Sequence, residues 1–305
     1  MRAVVLTEFG PPENLSLTEV PDPVPGPDEM RIDVEIANIT FIETQLRAGR
    51  APFPGMAPAL PVILGNGVGG RLDGLPVVTT TGGKGGYAER AVVSRHDLIP
   101  VPEGVPLQDA VALLADGRTA TALIRATGPR PGETVLIEAA AGGVGSLLIQ
   151  LARNAGARVI GLASGARKTA LATELGADVA VDYTEPGWDA GVPAVDVVFD
   201  GVGGDVASAA FGLLREGGRM SSYGAASGAF ARIPDDEAAR RGITLVRGVQ
   251  VTPGQLRELT ESALAEAAAG RLRPVIGQTF PLARAADAHA AIESRATVGK
   301  TLLII

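Results

Sequence analysis

The sequence predicts an α/β protein in which a doubly wound domain with a parallel sheet follows a β-rich first third. Three observations support this prediction. From residue 106 onward, short apolar runs of β type alternate with helical segments, whereas residues 1–100 hold mainly β patterns and turns. The later runs are mainly apolar, which is typical of strands buried on both faces. A glycine-rich turn lies where one of these runs passes into a helix.

The first third reads as strands and turns in order. VVL at residues 4–6 opens it, and the prolines between Pro21 and Glu29 indicate an extended surface connection. Met30–Ile39 alternates apolar and polar residues, as a half-buried strand does. Leu75–Thr80 predicts another strand, before a glycine-rich loop around Lys84.

Residues 106–128 predict the first long helix, with a turn at ADGRT, residues 115–119. Helical segments then separate the β-type runs TVLIE, ARVIGLAS, DVAVDY, VDVVFD and RMSSYG. Gly156, Gly176 and Gly217 each follow a predicted helix, where a left-handed C-cap favours glycine. Helices over 255–269 and 283–294 precede a last strand, TLLII.

Composition excludes several classes of function. The net charge of −7 provides no basic field for nucleic acid or anionic lipid. The chain has no cysteine, which excludes disulfides, thiolate metal sites and cysteine nucleophiles, and its two histidines, His96 and His289, are too few for a typical zinc site. No apolar run is long enough to span a bilayer or to form the core of a signal peptide, so we expect a cytoplasmic protein.

The glycine-rich turn AAAGGVGS, residues 139–146, lies between a strand and a helix expected to begin near Val144. In doubly wound sheets this turn carries the phosphate site, because residues without a Cβ let backbone N–H groups reach a pyrophosphate at the positive end of the helix. The sequence therefore predicts a dinucleotide site here. A tight turn without a ligand is the alternative.

The end of the second strand, GLASGARK, favours NADPH over NADH. NAD-specific sites place an acid there for the ribose 2′-hydroxyl. This chain has Ser164, Arg167 and Lys168 instead, and a hydroxyl and two cations attract a 2′-phosphate. The alternative is a solvated helix start with two surface cations.

These motifs resemble the zinc-independent medium-chain dehydrogenase/reductase superfamily, specifically its NADPH:quinone oxidoreductase (zeta-crystallin-like) group. The resemblance covers nearly the whole chain. It is carried by FIETQLRAG (41–49), GGYAERAVV (85–93), AAAGGVG (139–145), VFDGVGG (198–204), SYGAASG (222–228) and ESRATVGK (293–300).

The resemblance implies a GroES-like, β-rich catalytic domain at residues 1–115 and 255–305. A Rossmann NADP-binding domain at 116–254 is inserted in it, with the active site in the cleft. It also implies that Ser164, Lys168, Tyr183 and Arg295 hold the 2′-phosphate, with Arg167 as an additional cation. Tyr183 as an ordinary strand-end aromatic and Arg295 as a helix C-terminal cation are the alternatives.

The implied nicotinamide end of the site lies near Thr119 and the backbones of Gly201, Gly224 and Ala225, although Thr119 also suits a plain helix position. The pyrophosphate is assigned to the turn residues Gly142, Gly143, Val144 and Gly145. The resemblance further implies a homodimer, for which the apolar strand ITLVRGVQ, residues 243–250, is the candidate interface.

The substrate half departs from the family pattern. Thr40 stands in place of an active-site Asn, Gln45 in place of a Tyr, and Glu43 in place of an Asp. We expect Thr40 and Gln45 to line the substrate pocket and Glu43 to be a structural residue at a helix start. No residue is identified as the general acid.

The function expected from these features is hydride transfer from NADPH to a quinone or an α,β-unsaturated carbonyl, without zinc. A dedicated enoyl or ketone reductase of a biosynthetic pathway and a non-catalytic NADPH-binding sensor or structural protein remain as alternatives. The scarcity of Cys and His excludes a zinc alcohol dehydrogenase. No Tyr is followed by Lys four positions later, which excludes a short-chain reductase.

Overall fold

The computed structural model describes residues 1–51, 54–247 and 252–305. These residues form two units, the first comprising Met1–Gly117 with Thr260–Ile305 and the second Arg118–Leu259. The domain limits expected from the sequence lie two to five residues from these boundaries.

Most strands of the first unit follow one another without a helix between them, whereas most strands of the second unit are separated by helices. The strands are β1 (Arg2–Leu6), β2 (Leu15–Glu19), β3 (Glu29–Ile39), β4 (Val62–Ile63), β5 (Gly67–Leu72), β6 (Leu75–Thr80), β7 (Arg90–Ser94), β8 (Ile99–Pro100), β9 (Thr134–Ile137), β10 (Arg158–Ala163), β11 (Val179–Asp182), β12 (Val195–Asp200), β13 (Leu214–Ser222), β14 (Thr244–Arg247), β15 (Ile276–Pro281) and β16 (Lys300–Ile304). The helices are α1 (Phe41–Arg47), α2 (Leu107–Thr127), α3 (Gly143–Asn154), α4 (Ala166–Glu174), α5 (Gly204–Gly212), α6 (Asp235–Arg240), α7 (Pro253–Ala268) and α8 (Ala285–Glu293).

The first unit is built on two sheets. One is antiparallel, in the order β2-β1-β4, and the other has the order β15-β16-β3-β5-β6-β8 with β7 also paired to β3. The alternation expected in β3 is present, since Ile32 and Val34 are buried and the Asp33 side chain is 81% exposed. The last strand, β16, pairs antiparallel with β3, so the N-terminal third and the C-terminal tail share one sheet.

The second unit is the predicted doubly wound domain. Its sheet has the order β11-β10-β9-β12-β13-β14, and every neighbouring pair is parallel. In sequence numbering within the unit this is the order 3-2-1-4-5-6 of the Rossmann fold. All four residues of β9 are buried, as a central strand covered on both faces requires. The fold class predicted from the sequence is confirmed.

Two local predictions were wrong. ADGRT forms no turn, because α2 runs unbroken from Leu107 to Thr127. Gly117 is needed there for close packing: a Cβ on it would lie 3.0 Å from the Cβ of Ala263. Gly217 does not cap a helix either, because α5 ends at Gly212. It adopts a φ of 72° within β13, beside an irregularity in the pairing of that strand with β12.

The motif ESRATVGK contributes a buried ion pair to the first unit. The Arg47 side chain is 1% exposed, and its Nη2 lies 2.5 Å from Oε1 of Glu293, which is 25% exposed. Arg47 also donates through Nη1 to the Gly10 carbonyl oxygen. Residues at the start of the chain, in α1 and at the end of α8 therefore meet at one guanidinium.

We expect Glu293→Gln to lower the free energy of unfolding by about 2 kcal/mol, because the buried Arg47 loses its counter-charge. The control is Glu35→Gln, which removes the same charge from a pair with Arg71 whose side chains are 44% and 54% exposed. That change is expected to cost less than about 0.5 kcal/mol. Urea unfolding measures both, and equal effects would contradict the expectation.

Candidate functional site

The glycine-rich turn leads directly from β9 into α3. Ala139 has a φ of 48°, and the carbonyl oxygen of Ala139 accepts the Gly142 N–H at 2.8 Å. Gly142 is the N-cap of α3, and a Cβ on Gly145 would lie only 2.2 Å from the Ala139 oxygen. The first turn of α3 therefore packs on the loop so closely that no side chain fits at Gly145.

The start of α3 offers backbone donors. Ser146 makes the first bond of the helix, its N–H reaching the Gly142 carbonyl oxygen at 3.0 Å. The N–H groups of Gly143, Val144 and Gly145 precede it and have no carbonyl within the helix to bond to. Gly143 and Val144 are half-buried, so these donors lie close to the surface, where an anion can reach them.

Four of the five residues assigned to the 2′-phosphate lie just after the next two strands. Ser164 follows β10, and Arg167 and Lys168 lie in the first turn of α4. Tyr183 follows β11, and its N–H bonds to the Ala163 carbonyl oxygen at 3.1 Å, which places it beside Ser164. One edge of the sheet thus carries a hydroxyl, two cations and a phenol.

Asp182 is a residue of this edge that the sequence analysis did not single out. Its Oδ2 accepts the Gly165 N–H at 2.8 Å, and its Oδ1 accepts the N–H and the hydroxyl of Thr184. These bonds, those from Thr184 first, lower the pKa of Asp182 below its usual value. The carboxylate fixes Gly165, the N-cap of α4. The signal in the sequence is an Asp at a strand end two residues before a Thr, as in an Asx turn.

The residues that follow β12 and β13 also pack closely against each other. The Tyr223 hydroxyl donates to the Glu138 carbonyl oxygen at 2.7 Å, and a Cβ on Gly201 would lie 2.5 Å from that hydroxyl. A Cβ on Gly224 would lie 2.7 Å from the Gly201 carbonyl oxygen. Ala225 is half-buried and follows Gly224 directly. The motifs VFDGVGG and SYGAASG are therefore one structural feature.

Two further predicted cofactor residues are carried by helix α2 and by the segment that follows α8. Thr119 is a half-buried residue in the middle of α2 rather than at the end of a turn. Arg295 belongs to the first unit, where it is exposed, follows α8 and has a φ of 58°.

Thr40 precedes α1 and Gln45 lies within it, and both side chains form hydrogen bonds to neighbouring residues. Thr40 is the N-cap, and its hydroxyl donates to Glu43 Oε2 at 2.8 Å. Gln45 donates to the Thr44 hydroxyl and accepts from Arg50. Glu43 is buried and also accepts the N–H groups of Thr40 and Asn66, so the expectation of a structural role at a helix start is confirmed. Burial raises the pKa of Glu43.

The described residues contain no group of three or more His, Cys, Asp or Glu side chains arranged to hold a metal ion. Among their helices none combines the length and the apolar character that crossing a bilayer requires.

Known proteins resemble this chain over its full length. A family model described as zinc-binding dehydrogenase matches residues 175–303. The quinone oxidoreductase of Pseudomonas aeruginosa is 30% identical, with 99% of each chain covered. The 2-haloacrylate reductase of a Burkholderia species is also 30% identical, over 99% of this chain and 98% of its own.

Solved structures agree with these relatives. The quinone oxidoreductase of Thermus thermophilus, whose complex with NADPH is also known, is 33% identical with a TM-score of 0.88 over 100% of both chains. An NAD-dependent alcohol dehydrogenase is 30% identical with a TM-score of 0.91 over the same coverage. The chain belongs to the quinone oxidoreductase group of the medium-chain dehydrogenase/reductase superfamily.

Proposed function

We propose that this protein is an NADPH-dependent oxidoreductase that reduces a quinone or an α,β-unsaturated carbonyl compound without zinc. The observation that carries the proposal is the edge of the Rossmann sheet, where the Gly142–Gly145 turn lies next to a strand end bearing a hydroxyl and cations. The quinone oxidoreductase and 2-haloacrylate reductase names of its relatives support the reaction class.

The second unit fits a dinucleotide. Three of the four turn residues are glycine and no Cβ fits at Gly145, so few side chains are present near the N–H groups at the start of α3. A pyrophosphate site requires such an uncovered backbone. We assign the pyrophosphate to Gly142, Gly143, Val144 and Gly145. We assign the 2′-phosphate to Ser164, Lys168, Tyr183 and Arg295, with Arg167 as an additional cation. We assign the nicotinamide end to Thr119, Gly201, Gly224 and Ala225.

When bound, NADPH supplies the hydride, and the residues of this chain bind and orient it. Hydride transfer depends on position more than on protein acids or bases. The Thr40 hydroxyl proton is held by Glu43 and Gln45 is bonded at both ends of its amide. We therefore assign both residues to the wall of the substrate pocket and the final protonation of the product to solvent.

The donor set of the chain argues for chemistry without zinc, although the matching family model is described as zinc-binding. There is no cysteine. His289 is buried and its Nε2 lies 3.1 Å from the Tyr87 hydroxyl, while burial and then the charge of Arg47 lower its pKa to about 3. A catalytic zinc site takes three protein ligands of His, Cys or acidic type. His96, the other histidine, lies in an exposed turn.

We further propose a cytoplasmic homodimer. The described part of the candidate interface, β14, is an edge strand of the six-stranded sheet, and a second copy pairing with it would extend that sheet. Residues 248–250 of the predicted interface lie outside the described residues.

Fluorescence titration with NADPH and with NADH tests the proposal, followed by NADPH oxidation assays with 1,4-benzoquinone and with an enone. We expect tighter binding of NADPH and faster oxidation with at least one acceptor class. Equal affinity for NADH and NADPH would contradict the 2′-phosphate site. Both nucleotides must be compared because the chain is also similar to an NAD-dependent alcohol dehydrogenase. Tight binding with no oxidation by either acceptor would favour the sensor function. Turnover confined to one enoyl or ketone substrate would favour the dedicated reductase.

A further inference from the structure

Two buried carboxyl groups connect the glycine turns of the second unit. Glu138 follows β9 and Asp200 ends the adjacent parallel strand β12, and the Glu138 N–H donates to the Phe199 carbonyl oxygen at 2.9 Å. Both acidic residues are 0% exposed. The reaction proposed above does not use either of them.

Each carboxyl group bonds through one oxygen to the turn that follows β12. Glu138 Oε2 accepts the Val202 N–H at 3.0 Å, and Asp200 Oδ1 accepts the Gly203 N–H at 2.8 Å. The other two oxygens, Glu138 Oε1 and Asp200 Oδ2, are buried and have no hydrogen-bond partner in the described part of the chain. Because the two carboxyl groups bond to the N–H groups of consecutive residues and lie at the ends of neighbouring strands, they lie close together.

A single proton shared by the two carboxyl groups gives both of these oxygens a hydrogen-bond partner. Two ionised carboxylates in contact would repel each other, and each would keep one desolvated oxygen without a donor. If Glu138 is protonated at Oε1, that O–H donates to Asp200 Oδ2 and both oxygens gain a partner.

The surroundings favour the protonated form of Glu138. Burial, and then the charge of Asp200, raises the pKa of Glu138 well above its usual value, and only the N–H groups of Val202 and Gly203 act against this. From β13, Tyr223 reaches the Glu138 carbonyl oxygen rather than its carboxyl group. Within the described residues neither carboxyl group forms an ion pair with Lys or Arg.

We infer that Glu138 and Asp200 share one proton, donated by Glu138, and that this bond positions the two glycine turns that receive the dinucleotide. Glu138 begins the loop that ends at Gly142, its carboxyl group holds the turn after Gly201, and its carbonyl oxygen holds Tyr223 against Gly201. The positioning role rests on the proposed function, whereas the shared proton does not.

The shared proton has a consequence for stability with a defined sign. In the unfolded chain Glu138 loses its proton near the ordinary value of 4.5, but in the folded protein it keeps the proton to a higher pH. The folded state therefore binds more protons between these two pKa values. Across that interval the Glu138 contribution to the free energy of unfolding falls as the pH rises, and above the folded pKa it stays constant.

Infrared spectroscopy of the cofactor-free protein tests the shared proton. We expect the wild type at neutral pH to show a carbonyl band of a protonated carboxylic acid that shifts in D₂O and is missing in Glu138→Gln. Glutamine retains an N–H donor for Asp200 and an oxygen for Val202, so this variant should fold. Glu216→Gln makes the same substitution at an exposed residue of β13 and should keep the band. A wild-type spectrum without such a band overturns the inference, whether or not NADPH binds.

The positioning role is tested by NADPH titrations from neutral to alkaline pH. We expect the affinity of the wild type and of Glu216→Gln to fall by roughly tenfold as Glu138 ionises, and that of Glu138→Gln to show no such step. Parallel profiles for all three proteins would overturn the positioning role. If the wild type binds no NADPH at any pH, the proposed function fails and the positioning role with it, while the infrared result still decides the shared proton.

Discussion

Gly145→Ala is expected to weaken NADPH binding by roughly 100-fold, equivalent to about 3 kcal/mol, and to destabilise the fold by a similar amount. The new methyl group would lie 2.2 Å from the Ala139 carbonyl oxygen and 2.8 Å from the Ala139 carbonyl carbon. Both atoms are backbone, so relief requires moving either the loop or the first turn of α3. Either movement displaces the N–H groups assigned to the pyrophosphate.

Gly212→Ala is the matched control. Gly212 is the last residue of α5, and a Cβ there meets no atom within 4 Å. We expect it to raise the free energy of unfolding by about 0.5 kcal/mol, because alanine restricts the unfolded chain, and to leave the NADPH affinity unchanged. Thermal unfolding and fluorescence titration measure both effects.

Gly142→Ala keeps the prediction testable if Gly145→Ala does not fold. Its Cβ would lie 3.2 Å from the same Ala139 oxygen, a contact that a small adjustment relieves. A folded Gly142→Ala protein is expected to bind NADPH more weakly than the wild type. Wild-type affinity in both variants would show that the turn does not hold the pyrophosphate.

Lys168→Ala is expected to weaken NADPH binding by 10- to 100-fold and NADH binding by less than about 2-fold, because a charge-assisted hydrogen bond contributes about 1.5–3 kcal/mol. Combining it with Arg167→Ala should remove most of the preference for NADPH. Arg167 is exposed and Lys168 half-buried, so we expect Lys168 to have the larger single effect and Arg167 the stronger dependence on salt.

Arg158→Ala provides the control for net charge. Arg158 is exposed at the opposite end of the same strand, β10, from Ser164. Its removal changes the charge of the protein by the same amount as Lys168→Ala and should leave the ratio of the NADPH and NADH affinities unchanged. A loss of affinity for both nucleotides in Lys168→Ala would instead indicate that the lysine supports α4 rather than a 2′-phosphate.

The sequence by itself determined the class of the fold and the position of the glycine turn. The runs that become β9, β10 and β12 are mainly apolar, which is typical of strands inside a sheet covered on both faces, so local composition already indicates a doubly wound domain. The turn was recognisable because glycine at Gly142 and Gly145 has a local signature. The return of TLLII to the first sheet was consistent with the family resemblance.

The tertiary structure alone decided which features depend on packing between distant residues. Gly117 was predicted to lie in a turn because the local sequence does not show that Ala263, far along the chain, packs closely against it. The bond between Asp182 and Gly165 and the pairing of Glu138 with Asp200 join strand ends that are 17 and 62 residues apart. The spacing of hydrophobic residues indicates which face of an element is buried. It does not indicate which polar atoms bond to each other across a sheet. Those contacts exist only once the strands have taken their order.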